Sequence, residues 1–399
     1  MIERDNYLKI LKNFKDKQII KVITGIRRCG KSTLMELFQK YLKENGVEEN
    51  QIISINFEDP NFEELTDRKK LYQYIKGKLI KEKMTYIFLD EIQNVKEFEK
   101  TVDGLFINKN VDIYITGSNA YMLSSELATL LSGRYIEIQM LPLSFKEYIS
   151  AFEDRTDLSR KFRDYLRYSS FPQSIELYTV NPENINIYLE GIFNTVVYKD
   201  VISRKGISDK NVLESIIKYL FNNIGSNCSI KKISDTLTSM ARQTSYNTVA
   251  NYVEALVDSY ILYKANRYDI KGKDYLKTQE KYYIVDIGLR YYLLGKKAGQ
   301  DMGHILENVI YLELLRRGYK VYIGKLDELE IDFVAQNFEG IEYYQVAFSV
   351  RDEKTLEREL TPLKKINDNY PKYIITLDDD LEADYDGIKK INAIDWLLS

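Results

Sequence analysis

A segment near the start of the chain, GIRRCGKST at residues 25–33, has the residue types and spacing of a phosphate-binding loop. It fits the pattern GxxxxGK[ST], with an apolar segment before it and a helix-forming run after it. Backbone N–H groups of such a loop bind anionic oxygens, and its glycines let the backbone approach them closely. The residues predicted to form the loop are Gly25, Ile26, Arg27, Arg28, Cys29, Gly30, Lys31, Ser32 and Thr33.

Three side chains of this loop have separate interpretations. Lys31 is predicted to reach the β- and γ-phosphates of a nucleotide, and the Ser32 hydroxyl is predicted to bind Mg²⁺. Cys29 occupies a variable position of the pattern, where a thiol is tolerated. A redox role is the alternative for Cys29.

A pair of carboxylates, Asp90 and Glu91, ends the apolar segment of YIFLDEIQ, which is predicted to be a buried strand. Because open parallel sheets bind ligands at the carboxyl ends of their strands, we expect this pair to lie near the loop. Asp90 is predicted to bind Mg²⁺, usually through water, and Glu91 to activate the attacking water as a general base. The alternative is a solvated acidic pair at a strand end.

Two further polar positions are candidates for sensing the nucleotide. Asn119, in YITGSNA, is predicted to orient the water or contact the γ-phosphate; Ser118 and Thr116 are alternatives, and so is a polar loop without function. Arg134 begins another predicted strand, from which it could reach a nucleotide bound by a neighbouring subunit. The alternative for Arg134 is a surface arginine.

The elements that must position these residues alternate between strands and helices. Strands are predicted at residues 18–25, 50–59, 84–90, 111–117 and 134–140, with helical stretches between them. This alternation predicts an α/β fold with a parallel sheet that helices cover on both faces.

Four regions follow from the pattern along the chain. Residues 1–140 form the predicted nucleotide-binding core, and residues 141–205 a helical lid or linker. Residues 206–300 contain three predicted helices and a β-hairpin, as in a winged helix. Residues 301–399 run helix, strand, strand, strand, helix, strand.

The motifs GIRRCGKST, YIFLDEIQ, TGSNAYMLSSELATLLSGRY and MLPLSFKEY together resemble the bacterial and archaeal AAA-type ATPases with an uncharacterised nuclease-like C-terminal domain. The order of the later segments resembles the same family, so the resemblance spans nearly the whole chain. It implies an AAA core with strand order 5-1-4-3-2, and it implies ATP and Mg²⁺ as ligands. It implies no settled biological role.

The C-terminal region resembles the PD-(D/E)xK nuclease fold, in whose active members carboxylates bind a divalent metal ion and a lysine helps to activate water. Glu307 and Asp332 fit the carboxylate positions, and Glu330 lies on the same strand face as Asp332. Gln345, however, occupies the second ligand position on the next strand, and Ala347 the lysine position. We therefore expect a degenerate site, unless a lysine arrives from another element.

Charge distinguishes the partners that each region would bind. The chain has a formal net charge of −3, and residues 301–399 hold 12 Lys/Arg against 21 Asp/Glu, a balance of −9. Because such a surface repels phosphate backbones, we expect a protein partner there. Residues 201–270 hold nine Lys/Arg against six Asp/Glu, which leaves both DNA contact through the winged helix and protein docking open.

Composition also excludes several classes of protein. Two cysteines make no disulfide framework, and the single histidine, His304, excludes a His-rich metal site. The charged N-terminal segment lacks the apolar core of a signal peptide, and no window approaches the roughly 20 apolar residues of a membrane span. We expect a cytoplasmic protein without membrane contact.

Three functions are compatible with these patterns. The first is a Mg²⁺-dependent ATP-hydrolysing switch or motor, coupled to a winged helix and an inactive nuclease-like domain, and a homo-oligomer if Arg134 acts in trans. The second is an ATP-gated DNA nuclease in genome defence. The third is a binding module that nucleotide only stabilises. The first is favoured because Glu91 and Asn119 are both present.

Overall fold

The computed structural model of the chain describes residues 2–120, 131, 133–202, 206–207, 209–239, 244–380 and 383–399. The chain divides into two compact units. Unit 1 comprises Met1–Pro142 with Asp258–Tyr260, and unit 2 comprises Leu143–Val257 with Ile261–Ser399. Within the described residues, none of the helices has the length and apolar character needed to cross a membrane.

A five-stranded parallel sheet forms the centre of unit 1. Its strands are β1 (Ile20–Thr24), β2 (Ile52–Asn56), β3 (Thr85–Asp90), β4 (Val111–Gly117) and β5 (Tyr135–Gln139). They lie in the order β2-β3-β4-β1-β5 with all neighbours parallel, which confirms the predicted order 5-1-4-3-2. β1, β3 and β4 are buried along their full lengths, as in strands covered on both faces.

Helices pack on this sheet and supply its apolar core. They are α1 (Asp5–Asn13), α2 (Lys31–Glu44), α3 (Arg68–Lys78) and α4 (Phe98–Phe106). α2 buries Leu34, Phe38 and Leu42, which recur at the spacing of one helix face. Because α2 follows the 25–33 loop directly, its packing fixes the position of that loop.

Unit 2 begins with helices where helices are predicted. These are α5 (Phe145–Ser150), α6 (Leu158–Tyr168), α7 (Pro172–Val180), α8 (Asn184–Asn194), α9 (Lys210–Asn222), α10 (Ile230–Ser239) and α11 (Tyr246–Asp258). The extended residue Phe171, before Pro172, separates α6 from α7. Ser245 caps α11, since its hydroxyl oxygen accepts a hydrogen bond from the Thr248 N–H at 3.1 Å.

One eight-stranded sheet contains the strands that the structure describes in unit 2. They are β6 (Leu262–Asp269), β7 (Asp274–Ile284), β8 (Lys320–Leu326), β9 (Leu329–Gln336), β10 (Ile341–Val346), β11 (Lys372–Thr376), β12 (Ala383–Tyr385) and β13 (Ile388–Asn392). Their order is β12-β13-β11-β10-β9-β8-β6-β7. The hairpin predicted as the wing of residues 206–300 belongs to this sheet, because β6 pairs in parallel with β8. The predicted boundary at residue 300 therefore cuts through a continuous sheet.

The last hundred residues follow the predicted order of elements. After α12 (Ile287–Leu294) come α13 (Met302–Arg316), the antiparallel strands β8, β9 and β10, then α14 (Glu353–Lys364) and β11, which is parallel to β10. β12, β13 and α15 (Ala393–Leu398) extend this arrangement beyond the prediction.

Candidate functional site

Two glycines let the 25–33 loop turn from β1 into α2. Gly25 has φ +144°, and a Cβ added there would lie 2.1 Å from the carbonyl oxygen of Met140. Gly30, at the N-cap of α2, has φ 103°. Side chains other than glycine are strained in these conformations. The first N–H groups of α2, which have no partner within the helix, are thereby presented at the loop to an anionic ligand.

The Lys31 ammonium is buried at the first position of α2. Its Nζ donates to the carbonyl oxygens of Gly25 at 3.0 Å and Ile26 at 3.3 Å, and lies 3.5 Å from a carboxylate oxygen of Glu91. A charge attracts an anion more strongly in such a buried setting than in water. Lys31 is therefore suited to bind the phosphates of a nucleotide.

Ser32 and Asp90, which are far apart in sequence, share a hydrogen bond at the end of β3. Thr116, on β4, also donates its hydroxyl to the Asp90 carboxylate. Burial raises the pKa of Asp90, and the hydrogen bonds from Ser32 and Thr116 oppose that rise. Because Mg²⁺ prefers hydroxyl and carboxylate oxygens, these side chains fit a magnesium ion bound with a nucleotide.

Glu91 has a left-handed backbone, with φ 53°, a conformation that costs energy in residues other than glycine and is common at active sites. Its N–H donates to the Thr116 hydroxyl oxygen at 2.9 Å. Its carboxylate lies near Lys31, 3.9 Å from Arg27, and accepts a hydrogen bond from Gln93. Thr116, an alternative candidate for the sensor, thus contacts both residues of the acidic pair.

Asn119 is buried just beyond the end of β4, which lies between β1 and β3 in the sheet. The Gln93 amide donates to the neighbouring Ser118 hydroxyl at 3.4 Å. Asn119 therefore lies at the same edge of the sheet as the loop, and its sensor role stays a prediction.

Arg134 lies at the amino ends of the strands, opposite the carboxyl ends where the loop lies. Its carbonyl oxygen accepts a hydrogen bond from the N–H of Ile20, the first residue of β1, whereas the loop follows the last residue of β1. A five-residue strand separates these edges by roughly 16 Å. The Arg134 guanidinium is half exposed and pairs with Asp103 on α4. The structure thus does not bring Arg134 to the loop of its own chain.

Cys29 is fully buried in the loop, and burial raises the pKa of its thiol. The thiolate is the reactive form of cysteine, so a raised pKa makes the thiol less reactive. The surroundings of Cys29 therefore favour packing over the redox alternative.

In unit 2, the predicted carboxylates surround a lysine that comes from β7. Lys281 Nζ lies 3.0 Å from carboxylate oxygens of Glu307 on α13 and of Glu330 on β9. It lies 4.0 Å from Asp332, also on β9. We call these four residues the Lys281 cluster. The Lys281 side chain is 5% exposed, so the cation of this cluster is a buried part of the chain.

Neighbouring side chains donate further hydrogen bonds to two carboxylates of the Lys281 cluster. The Tyr283 hydroxyl donates to Glu307 at 2.7 Å, and Arg267 and Asn227 donate to the second oxygen of Glu330 at 3.0 and 2.9 Å. These partners are not evident from the sequence, because they lie on β6, on β7 and in the connection between α9 and α10.

Gln345 bridges two parts of the fold. Its side-chain oxygen accepts a hydrogen bond from the Asp332 N–H at 2.7 Å, and its amide donates to Glu359 on α14 at 2.8 Å. Ala347 packs in the apolar core. Across the described residues, no three His, Cys, Asp or Glu side chains are grouped so that they could hold a metal ion. Glu307, Asp332 and Gln345 thus belong to a network of ion pairs and hydrogen bonds.

The pKa values of the Lys281 cluster follow from burial and from its opposed charges. Burial, together with Glu307, raises the pKa of Asp332 to about 8, although Lys281 opposes the rise. Burial would also raise the pKa of Glu330, but Lys281 and Asn227 lower it below its ordinary value. Burial would lower the pKa of Lys281, but the three carboxylates raise it.

Comparison with known proteins assigns the class of the fold. Residues 17–149 match the AAA domain family (AAA_14), and residues 159–300 match a domain of unknown function (DUF8612). Unit 1, which contains most of the AAA match, therefore has the α/β fold of an AAA-type P-loop ATPase domain. Among solved structures, the Walker-type ATPase of Pyrococcus abyssi is similar with a TM-score of 0.48 and 13% identity, over 74% of this chain and 96% of that chain.

Two curated relatives match the chain along nearly its whole length. An uncharacterised protein of Haemophilus influenzae is 43% identical over 100% of this chain and 99% of its own length. An uncharacterised protein of Methanocaldococcus jannaschii is 30% identical over 99% of this chain and 88% of its own length. The chain belongs to the same protein family as these two relatives.

Proposed function

We propose that the protein is a Mg²⁺-dependent ATPase that binds ATP in the 25–33 loop and hydrolyses it to ADP and phosphate. The observation that supports this most is the meeting of four side chains at one sheet edge. Ser32 is hydrogen-bonded to Asp90, and Lys31 lies 3.5 Å from Glu91. That edge, at the carboxyl ends of the strands, is where α/β sheets bind ligands.

Each side chain has a distinct role in this proposal. Lys31 and the N–H groups of α2 bind the phosphates. Ser32 and Asp90 would hold Mg²⁺, which would neutralise charge on the phosphate oxygens. Glu91 accepts the proton of the attacking water, and Asn119 orients that water.

A second copy of the chain supplies Arg134 in this proposal. Its half-exposed guanidinium lies at the edge away from its own loop. A neighbouring subunit can bring its loop to this arginine, which then stabilises charge that develops on the phosphates. The proposal therefore includes a homo-oligomer in the ATP-bound state.

The rest of the proposal concerns unit 2, which responds to the nucleotide state and binds a partner. The exposed positions Asn247 and Asn251 on α11 leave DNA contact open. The acidic balance of residues 301–399 favours a protein partner there. The nuclease-like region is proposed to be inactive, because Lys281 already neutralises the carboxylates that would bind a metal ion.

The nuclease alternative has one observation in its favour, since Lys281 is a lysine that arrives from another element. Its two 3.0 Å contacts and the surrounding bonds favour a structural role instead. The alternative predicts cleavage of linear, circular or single-stranded DNA with Mg²⁺ or Mn²⁺ and ATP, and loss of cleavage in Asp332→Ala. Uncut DNA under all these conditions contradicts it.

Glu91→Gln tests the proposed function. Turnover is expected to fall about 100-fold or more, because a carboxamide cannot accept the proton. ATP binding is expected to persist, because the Thr116 contact to the backbone of residue 91 remains. Phosphate release and ATP affinity are measured separately, with the partly exposed Glu97→Gln as the control. Turnover at the wild-type rate in Glu91→Gln would contradict the assignment of the base.

A further inference from the structure

Arg27 is a loop cation for which the pattern GxxxxGK[ST] specifies no role, since its position in the pattern is variable. Its side chain is nevertheless only 8% exposed, whereas its neighbour Arg28 is exposed. Arginine is rarely buried unless it is paired with an anion. We therefore expect anionic groups beside the buried Arg27 side chain.

Two carboxylates face the Arg27 guanidinium. Its NH1 nitrogen lies 2.8 Å from Glu58 and 3.9 Å from Glu91. Glu58 follows the last residue of β2 by two positions, and its N–H donates to the side-chain oxygen of Asn56 at 2.9 Å. The Glu58 side chain is 41% exposed, so its ion pair with Arg27 is open to solvent on one side.

We propose that Arg27 is a phosphate-binding side chain and that Glu58 is the positioning residue that holds it at the loop until ATP arrives. This inference rests on the proposed function. A guanidinium binds phosphate through two parallel N–H groups, an arrangement that can compete with the ion pair to the half-exposed Glu58 carboxylate. On binding, the guanidinium exchanges the Glu58 oxygen for phosphate oxygens, and Glu58 is left in solvent.

The exchange predicts opposite effects at the two ends of one ion pair. Arg27→Gln is expected to weaken ATP binding about ten-fold or more, because it removes charged hydrogen bonds to phosphate. Glu58→Gln is expected to strengthen ATP binding about two- to five-fold, because a competing, partly exposed ion pair is lost. Glu58→Asp retains the charge and is expected to return the affinity towards the wild-type value.

A double-mutant cycle separates this positioning role from a merely structural one. In the Arg27→Gln background, Glu58→Gln is expected to change ATP affinity less than 1.5-fold, about the precision of the comparison, since the guanidinium that it positions is absent. Affinities are measured by calorimetry on the full chain with ATP and Mg²⁺. Glu64→Gln, whose side chain is 85% exposed and pairs with Lys70, is the matched control and is expected to bind ATP like the wild type.

Wild-type affinity in Arg27→Gln, or an equal Glu58→Gln effect in both backgrounds, overturns the inference. If Arg27→Gln does not fold, Arg27→Lys takes its place; it keeps the charge but loses the paired N–H groups, and a several-fold loss of affinity is expected. If the ATP affinities of the double-mutant cycle are as expected but the wild type releases no phosphate, only the proposed hydrolysis is contradicted. If the wild type releases phosphate but the cycle shows no coupling between Arg27 and Glu58, only the inference is contradicted.

Discussion

Lys31 and Lys281 are two of the buried lysines that lie beside carboxylates in the described part of the chain, and their surroundings differ. Lys31 contacts one carboxylate, at 3.5 Å, and two backbone carbonyls in a loop that contains glycines. Lys281 contacts two carboxylates at 3.0 Å and a third at 4.0 Å, from a strand in the eight-stranded sheet. The number and closeness of charged partners distinguish a lysine that can exchange its partners from one whose charge is already neutralised.

The largest expected effect on folding is that of Lys281→Met. Loss of the ammonium leaves the buried Glu307 carboxylate without its cation, beside Glu330 and Asp332, and breaking a buried ion pair in this way costs about 3–5 kcal/mol. The free energy of unfolding, measured in denaturant, is expected to fall by that amount.

A matched lysine on the neighbouring strand provides the control for this change. Lys264 pairs with Glu280 at 3.3 Å and is 39% exposed, so Lys264→Met is expected to cost less than about 1 kcal/mol. Equal losses in Lys264→Met and Lys281→Met would contradict the view that the Lys281 cluster is a neutralised core.

Gly25→Ala is expected to have the next largest effect on folding and also to disturb the contacts of Lys31. A methyl group there would meet the Met140 carbonyl at 2.1 Å, so the loop must shift and Lys31 loses its contact with the residue 25 carbonyl. A destabilisation of about 1–3 kcal/mol is expected, together with loss of ATP binding.

Gly46→Ala is the control for the backbone conformation alone. Gly46 also has a positive φ, +87°, but a Cβ there meets no atom within 4 Å. Gly46→Ala is expected to have a strained backbone at residue 46 but to bind ATP like the wild type. If Gly25→Ala binds ATP as the wild type does, the loop does not depend on this close approach.

Asp332→Asn is expected to change how folding stability depends on pH. Asp332 has an ordinary pKa of 3.8 and a folded pKa of about 8, so between these values the folded chain holds a proton that the unfolded chain releases. Its contribution therefore favours folding at low pH and is lost as the pH rises to about 8. The amide cannot titrate, and its oxygen can still accept the Val346 N–H.

The measurement for this prediction is the difference in unfolding free energy between Asp332→Asn and the wild type. It is expected to move in favour of the amide from about pH 4 to about pH 8 and then to level off. The exposed Glu339→Gln is the control. A difference that does not vary with pH would show that Asp332 is ionised throughout this range.

Arg134→Ala is expected to have the smallest effect on folding, below about 1 kcal/mol, because its pair with Asp103 is substantially exposed. ATP turnover by the Arg134→Ala variant is nevertheless expected to fall. Mixing Arg134→Ala with Lys31→Ala tests action in trans, since one chain keeps the site and the other keeps the arginine. A mixture no more active than its components contradicts the trans role.

The parts of the molecule that sequence predicts well are those in which neighbours in the chain are also neighbours in space. The loop between β1 and α2 and the acidic pair at the end of β3 follow directly from local patterns. Parallel strand pairing then brings Asp90 to Ser32 and Thr116, because all three lie at the carboxyl edge of one sheet.

Long-range partners explain what sequence could not predict. Nothing in the sequence around Glu58 indicates that it pairs with Arg27. Lys281 lies in a hairpin whose alternation of apolar and polar residues would be the same whichever sheet the hairpin joined. The hairpin was predicted to be a wing, whereas its pairing with β8 depends on chain that lies beyond α12 and α13. Local pattern carries no information about such a pairing.

The parallel pairing of β6 with β8 has a consequence for how the C-terminal region can be produced on its own. A fragment starting at residue 301 would uncover the edge of β8, whose freed N–H and C=O groups invite pairing with other chains. It would also leave Glu307 without its ammonium partner on β7. Such a fragment is expected to aggregate, whereas one that begins no later than Ile261 retains both the edge partner and the buried cation.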